Sequence, residues 1–434
     1  MPPDDVIVIG AGAAGLMAAI SAARAGANVI LIEKNEKTGK KLYITGKGRC
    51  NFTNSCDTED VFPQVVTNAK FLYSCIYGFT NHDVTEWFEG NGLRVKEERG
   101  GRMFPNSDKS SDVIKTLNNV CKKENIRILL NTRVSSVITE GTSDVPVRKK
   151  ACGVILENGE NLFSKAVIIA TGGISYPSTG STGDGYRFAE ECSHTITALR
   201  PGLTGMNTFD EDIFSMQGLT LNNVSQTIWD GAESKPKKLY SGFGELLFTH
   251  FGVSGPVILS ASSIIGDRLE DSRLILKLDI KPALDNKELD NRLLREIGQT
   301  PARSVSNMLR RLLPASMIPV VLDRAGLDGG LRCLDLTKKN RQSLILQMKE
   351  FTIRLRSLRS FSEAIITRGG VNVREIDPHT MESRLCEGLF FAGEVMDVDA
   401  LTGGYNLQIA WSTGHTAGMS AAKRYGGRIE SDSD

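Results

Sequence analysis

The chain leaves its first strand through a glycine triplet, Val6-Ile-Val-Ile-Gly10-Ala-Gly12-Ala-Ala-Gly15. Four consecutive apolar β-formers predict a strand buried on both faces, as in a parallel sheet covered by helices. The glycines stand at G-x-G-x-x-G spacing, and each has its own physical use. Gly10 permits the tight turn, Gly12 lets the backbone approach a pyrophosphate, and Gly15 lets the next helix lie close to the sheet. That helix, 15 to about 24, is alanine-rich and propagates easily. Its first amides, at Ala13 and Ala14, point at the phosphates. With 43 glycines in 434 residues the triplet alone says little, so its context has to carry the reading. After Gly26, Asn28-Val-Ile-Leu-Ile-Glu33 predicts a second strand ending in an acid roughly 20 residues on, where a carboxylate accepts both hydroxyls of an adenosine ribose. A dinucleotide is expected here; the plainer alternative is a glycine-rich turn with a surface glutamate.

Downstream, glycines alternate with cations and amides from Lys34 to Asn54. Such a loop suits an anionic ligand: Lys34, Lys41 and Arg49 are candidates to neutralise phosphate, and Asn51 to hydrogen-bond a polar ring edge. A solvated basic loop is the alternative. Helices are expected at 69–79, 83–89 and 111–123, the last capped by Ser110 or Ser111. Val134 is the candidate apolar contact for adenine. Asn158-Gly159 signals a hairpin. The strand 166–170 then ends in Thr171-Gly172-Gly173, which returns Ala170, Thr171 and Gly172 to the phosphates. The polar glycine loop 176–185 either lines a pocket or merely connects.

From about 199 to 360 the texture changes. Antiparallel strands are expected at 218–229, 241–250 and 273–280, and helices at 286–297, 303–313 and 338–355. The last helix would place Leu344, Ile345, Met348, Phe351 and Leu355 on one face. The domain reading is a discontinuous FAD-binding domain, 1–195 and 362–434, interrupted by an insert at 196–361. The insert divides into a β part (about 196–281) and a helical part (about 282–361). The fold class is α/β, a Rossmann-like domain with a parallel sheet.

FAD is preferred to NAD because of the C-terminal segment. Residues 364–371 could pass a flavin ring, and the strand 388–392 ends in Gly393-Glu394, an acid for ribityl or ribose hydroxyls. A helix then opens at Gly404-Tyr405-Asn406-Leu407 and can aim amides at the flavin N1–C2=O edge. A helix N-terminus there favours the reduced anion by roughly 0.5–2 kcal/mol. An enzyme binding only NAD has no use for this second, distant constellation.

The 52 basic and 51 acidic residues, net charge +1, give no general attraction to nucleic acid or anionic membrane. The acidic start, Met1-Pro-Pro-Asp-Asp5, is no signal peptide, and no apolar run approaches the roughly 20 residues needed to cross a bilayer. Eight cysteines without zinc spacing read as reduced thiols. The expectation is a soluble cytoplasmic protein with a small-molecule substrate and no metal, nucleic acid or membrane partner; the oligomeric state stays open.

Four runs then carry a resemblance: the glycine triplet, Gly46-Lys-Gly-Arg49-Cys50-Asn51-Phe-Thr-Asn54, Phe248-Thr-His250-Phe-Gly252-Val-Ser-Gly255-Pro256, and Phe391-Ala-Gly-Glu394 with Gly403-Gly-Tyr-Asn406-Leu-Gln408. Over nearly its whole length the chain resembles the HI-type/YhiN (BaiN-like) bacterial FAD-dependent NAD(P)/FAD oxidoreductases. The resemblance implies a flavin domain split by an insert with β and helical parts. It also implies an associated activity, reduction of conjugated C=C bonds in 3-oxo bile acids by a gut-bacterial member.

The expected function is therefore an FAD oxidoreductase that takes hydride from NAD(P)H and reduces a small organic acceptor such as an α,β-unsaturated ketone. With one glycine motif after a predicted strand, NAD(P)H is expected only as a transient donor, giving ping-pong kinetics. Enone reduction needs a donor on the carbonyl and a proton for the α-carbon; Tyr176, His250 and Arg368, each in a glycine-flanked loop, are the candidates, against purely structural hydrogen bonds. Two alternatives stay open. One is an FAD-binding RNA-associated protein using the basic helices of the insert. The other is a thiol/disulfide flavoprotein reductase through Cys50 and Cys56, which stand at C-x5-C where flavin disulfide reductases carry C-x4-C.

Overall fold

The structure, a computed structural model, describes residues 4–141, 149–231, 236–269 and 273–425. The chain divides into two compact units, Met1–Pro201 with Phe361–Asp434, and Gly202–Ser360.

The first unit is built on a parallel sheet. Asp4–Ile9 lies between Val29–Ile32 and Asn161–Ile169; Arg127–Leu129 extends one side and Leu389–Phe391 the other. Val6, Ile7, Val8 and Ala166 to Ile169 are fully buried, as strands covered on both faces must be. Asn161–Ile169 also belongs to an antiparallel ribbon with Lys149–Leu156 and Val134–Gly141. Its turn is the expected one, with Gly159 at φ 85°.

The helix Tyr405–Tyr425 packs on Ala13–Arg24 through glycines. A Cβ on Gly414 would stand 2.4 Å from the Ala14 carbonyl oxygen, and one on Gly418 2.2 Å from that of Ala18. Fully buried Trp411 fixes the same helix from another side, donating through Nε1 to the Phe52 carbonyl at 2.8 Å. Backbone touches backbone here, so a side chain has to push the helices apart. Gly414→Val is expected to destabilise the protein by about 1–3 kcal/mol, read from the urea midpoint; an unchanged midpoint contradicts the packing argument.

Several elements differ from expectation for local reasons. The span 69–79 is a 3-10 turn, Ala69–Leu72, followed by a short helix, Tyr73–Gly78. Asn81–Gly90 starts earlier than predicted because Thr80 and Asp83 form a capping box. Ser110 does not cap its helix: it is the first helical residue, and its hydroxyl donates to the Tyr43 carbonyl at 2.7 Å. The loop after Lys34 contains a short helix, Lys40–Gly48, broken where Gly46 and Lys47 take φ 56° and 59°.

The second unit contains, among the described residues, a closed barrel of Met206–Thr208, Gly252–Ser254, Lys237–Phe248, Thr220–Asp230, Leu274–Asp279 and Phe351–Leu358. Helices Asn286–Gln299, Val305–Leu309, Ile318–Arg324 and Lys338–Lys349 accompany it. The helix expected over 338–355 stops at Lys349, because the period changes there. Phe351, Ile353 and Leu355 are buried while Thr352, Arg354 and Arg356 are exposed, the alternation of a strand. That strand closes the barrel on Met206–Thr208.

Candidate functional site

Gly10 and Gly15 are required by packing alone. A Cβ on Gly10 would lie 2.7 Å from the Ala170 carbonyl oxygen, and one on Gly15 1.8 Å from that of Gly10. Gly12 is different. Its φ is −82°, and a Cβ there would meet nothing within 4 Å. Nothing in the protein asks for glycine at this position, whereas a pyrophosphate lying against the backbone does. Gly12 caps Ala13–Arg24 without a side-chain bond, and the first turn holds no acid, which leaves the first amides for an anion.

Glu33 is 8% exposed. Its Oε2 accepts the Ala11 N–H at 2.9 Å, and its Oε1 accepts the Asn35 N–H at 2.9 Å and Asn35 Nδ2 at 2.6 Å. The carboxylate thus ties the second strand to the glycine turn. A carboxylate has about four acceptor sites; with three filled, it has room for one ribose hydroxyl rather than two.

Beside Glu33 opens a polar cavity of about 590 Å³, lined by Lys34, Asn35, Arg133, Asn158, Pro177 and Thr182 among others. Val134 is not part of its lining: it starts the strand Val134–Gly141 and is buried, while its neighbour Arg133 faces the cavity.

The three candidate cations, Lys34, Lys41 and Arg49, each have carboxylate partners within the protein. Lys34 Nζ is 2.7 Å from Asp184 and also bonds Thr182. Burial pushes the Asp184 carboxyl up, but Lys34 outweighs it and holds the group below its usual range. Lys41 Nζ reaches both Glu394 oxygens, at 2.9 and 2.8 Å, and Ser175 Oγ at 2.6 Å. Glu394 Oε1 also accepts Ser175 Oγ at 3.0 Å and the Thr367 N–H at 2.8 Å. Arg49 is held by Asp108 and Glu98 and stacks over Phe104 at 4.3 Å, so it braces the three-stranded sheet of Thr53–Asn54, Arg102–Pro105 and Val95–Glu98. Lys41→Met leaves Glu394 with neutral donors only; a loss of about 1–3 kcal/mol is expected, read from the denaturant midpoint without added flavin, and an unchanged midpoint contradicts the pairing.

The C-terminal glycines meet this region. A Cβ on Gly393 would lie 2.7 Å from the Ala14 side chain, and one on Gly404 2.4 Å from the Thr53 carbonyl oxygen. The start of Tyr405–Tyr425 is therefore pressed against the strand that follows Asn51. Asn406 does not reach outward: its Oδ1 accepts the Ala400 N–H at 3.0 Å and its Nδ2 donates to the Ala400 carbonyl at 2.7 Å. Its side-chain amide shapes the loop. Tyr405 is buried and Leu407 half-buried.

Among the buried polar atoms of this unit without a hydrogen-bond partner are Asn51 Oδ1, Thr171 Oγ1 and the Tyr186 hydroxyl. An orphaned buried group costs about 1–3 kcal/mol, which a ligand with matching groups returns. Asn51 Oδ1 needs an N–H, and a flavin pyrimidine ring edge offers one. Burial first, then Glu394 and Asp397, pushes the Tyr186 phenol up, so it stays a donor. The residues present fit FAD.

Tyr176 and Arg368 each stand next in the chain to a residue of one shared contact. The Ile174 and Ser175 N–H groups both bond Thr367 Oγ1, at 2.9 and 3.0 Å, so the two candidates flank one contact. Tyr176 takes the left-handed conformation, φ 51°, as do Leu203 and Met381, a conformation uncommon for a non-glycine residue. Arg368 Nε lies 3.7 Å from Asp399, which is 1% exposed. His250 belongs to the other unit, exposed on the turn before Gly252–Ser254, its ring edge-on to Phe251 at 5.1 Å. Ser175, Thr367, Tyr186 and Asp399 escaped sequence reasoning. Nothing in their local pattern marks them, because their partners lie far along the chain.

All eight cysteines are free. Burial pushes the Cys50 thiol up to about 12, and burial, partly offset by Tyr405, also raises Cys56. Neither is poised as a nucleophile. Among the described residues no helix is long and apolar enough to cross a membrane.

Against known families, the HI0933-like protein Rossmann domain matches residues 4–420. The chain belongs to the HI0933-like family. It is a flavin-dependent oxidoreductase with a Rossmann-like FAD-binding unit. Within this family it is 29% identical over 421 residues to a 3-dehydro-bile acid delta(4,6)-reductase of Clostridium scindens, covering 96% of this chain and 98% of that one. It is 30% identical over 413 residues to the ribosomal RNA dihydrouridine synthase of Escherichia coli K12, covering 94% and 96%. Among solved structures, a 3-ketosteroid-delta4-(5alpha)-dehydrogenase from Rhodococcus jostii RHA1 aligns with a TM-score of 0.52 at 17% identity, covering 97% of each chain. That likeness concerns the fold alone.

Proposed function

We propose that this HI0933-like protein reduces a C=C bond conjugated to a carbonyl, with NAD(P)H as transient donor. One observation carries the reading: relatives similar over nearly the full length are named for two substrates that share this bond. A 3-dehydro-bile acid with delta(4,6) unsaturation is a conjugated ketone. The uridine that becomes dihydrouridine carries its C5=C6 bond conjugated to C4=O.

FAD, when bound, supplies hydride chemistry to the β-carbon of such a system. The chain's own residues have three tasks. The glycine turn and Glu33 hold the nucleotide end, and Asn51 with the Gly404–Tyr405 amides holds the ring edge. Arg368, oriented by Asp399, donates to the carbonyl oxygen, where negative charge develops. Tyr176 delivers the proton for the α-carbon. The single glycine motif supports a nicotinamide that comes and goes. Eight free thiols support a reducing, cytoplasmic setting.

A small enone is the favoured acceptor, since net charge +1 offers little attraction to a polyanion. A uridine in RNA is the second reading, favoured by the dihydrouridine synthase relatives of Escherichia coli and Haemophilus influenzae. Anaerobic addition of NADH or NADPH is expected to bleach the flavin band, and an enone such as a 3-oxo-Δ4 steroid to restore it. A flavin that stays oxidised with both nucleotides refutes the donor assignment. Reoxidation by uridine-containing ribosomal RNA and by no enone moves the acceptor to the second reading.

A further inference from the structure

The second unit carries a row of cations and rings on the outer side of its barrel. Arg354, Ile275, Trp229 and Lys238 are successive cross-strand partners on Phe351–Leu358, Leu274–Asp279, Thr220–Asp230 and Lys237–Phe248. Their chain neighbours Ile353, Leu276 and Ile228 are buried in the barrel, so the row points outward. With strands about 4.8 Å apart, it runs about 14 Å from Arg354 to Lys238. At the Arg354 end, the Phe209 N–H donates to the Arg354 carbonyl at 3.0 Å. Each ring has a cation over it: Arg356 stands 5.7 Å from the Phe209 centroid, and Lys277 5.8 Å from that of Trp229.

The near-zero net charge of the chain hides a local excess on this face. Arg354 is held by Asp210 at 2.7 Å and Lys277 by Glu350 at 2.9 Å. Arg356 and Lys238 are exposed and have no ion-pair partner among the described residues. Phe209 is 55% exposed. A ligand that brings negative charge and flat rings together satisfies both kinds of group, with phosphates on the cations and bases on the rings. An anionic lipid surface matches the charge but offers the rings nothing to stack on.

We propose that this face binds single-stranded RNA, with phosphates on Arg356 and Lys238 and bases stacked on Phe209 and Trp229, an inference that rests on the reading of a uridine in RNA as acceptor. Contacts to phosphates and to ring faces carry no base identity. The face therefore holds the strand, and the choice of base belongs to the flavin site.

The test is equilibrium binding of a fluorescein-labelled oligouridylate of about 16 nucleotides, the upper range for one small barrel, to the full-length protein loaded with FAD. Affinity is expected to fall as salt rises. Arg356→Gln is expected to flatten the slope of log K against log salt by about 0.7, one phosphate contact on a single strand. Phe209→Ala is expected to raise Kd about tenfold or more at fixed salt. Both side chains are exposed, so the urea midpoint and the bleaching of flavin by NAD(P)H stay at their wild-type values. A protein that does not bind the oligomer at low salt, or whose two variants bind it like wild type, overturns the proposal. So does binding to anionic phospholipid vesicles without binding to the oligomer. Ribosomal RNA that reoxidises the flavin equally well in wild type and both variants strikes this face alone and leaves the acceptor reading intact. Oligomer binding that the variants weaken, with flavin reoxidised only by an enone, removes that reading and keeps the face.

Discussion

Replacing Glu33 with alanine is expected to weaken FAD binding by about 1.5–3 kcal/mol, roughly ten- to a hundredfold in Kd. Two losses combine. The ribose hydroxyl loses a charged acceptor, and the Ala11 amide loses the carboxylate that pins the glycine turn to the second strand. Glu33→Gln separates them: the glutamine Oε1 can still accept from one amide, so most of the turn survives while the charge is gone. Fluorescence titration of apoprotein with FAD gives the constants. Equal Kd values for wild type and Glu33→Ala would remove Glu33 from the cofactor site.

The second large effect concerns Arg368. Truncation to alanine would strand Asp399, 1% exposed, as a buried charge, so Arg368→Lys is the cleaner variant. It keeps the charge opposite Asp399 and loses the planar fork that can serve two acceptors at once. Turnover of a reducible enone is expected to fall about 10²–10³-fold, the range for losing one donor to a developing oxyanion. Flavin reduction by NAD(P)H should keep its wild-type rate, because that half-reaction has no carbonyl to polarise. Equal slowing of both half-reactions would assign Arg368 to the fold or to flavin binding instead.

Local sequence sufficed wherever the physics was local. The strand–glycine–helix start follows from a few neighbouring residues, and the parallel sheet from runs of apolar residues with no polar alternation. Gly393-Glu394 and Gly404 pointed to FAD before any contact was visible, because a second glycine-and-acid constellation has little purpose without an extended cofactor. Long-range pairing was not legible. The partners of Lys34, Lys41 and Arg49 do not show locally, because Asp184, Glu394, Glu98 and Asp108 stand dozens to hundreds of positions away. The helix over 338–355 was overextended for another reason: Phe351 and Leu355 fit both a helical stripe and a strand, and only the exposed Arg354 and Arg356 discriminate. The side-chain amide of Asn406 is likewise bonded to its own loop, at Ala400, which no local pattern shows.

The account rests on one cofactor being held by both ends of the chain, and hydrogen exchange with and without FAD tests that most directly. The predicted result is joint slowing of exchange in the peptides containing Gly10–Gly15, Glu33–Asn35 and Gly403–Leu407. Protection confined to the N-terminal peptides, with the start of the Tyr405–Tyr425 helix unchanged, would contradict it.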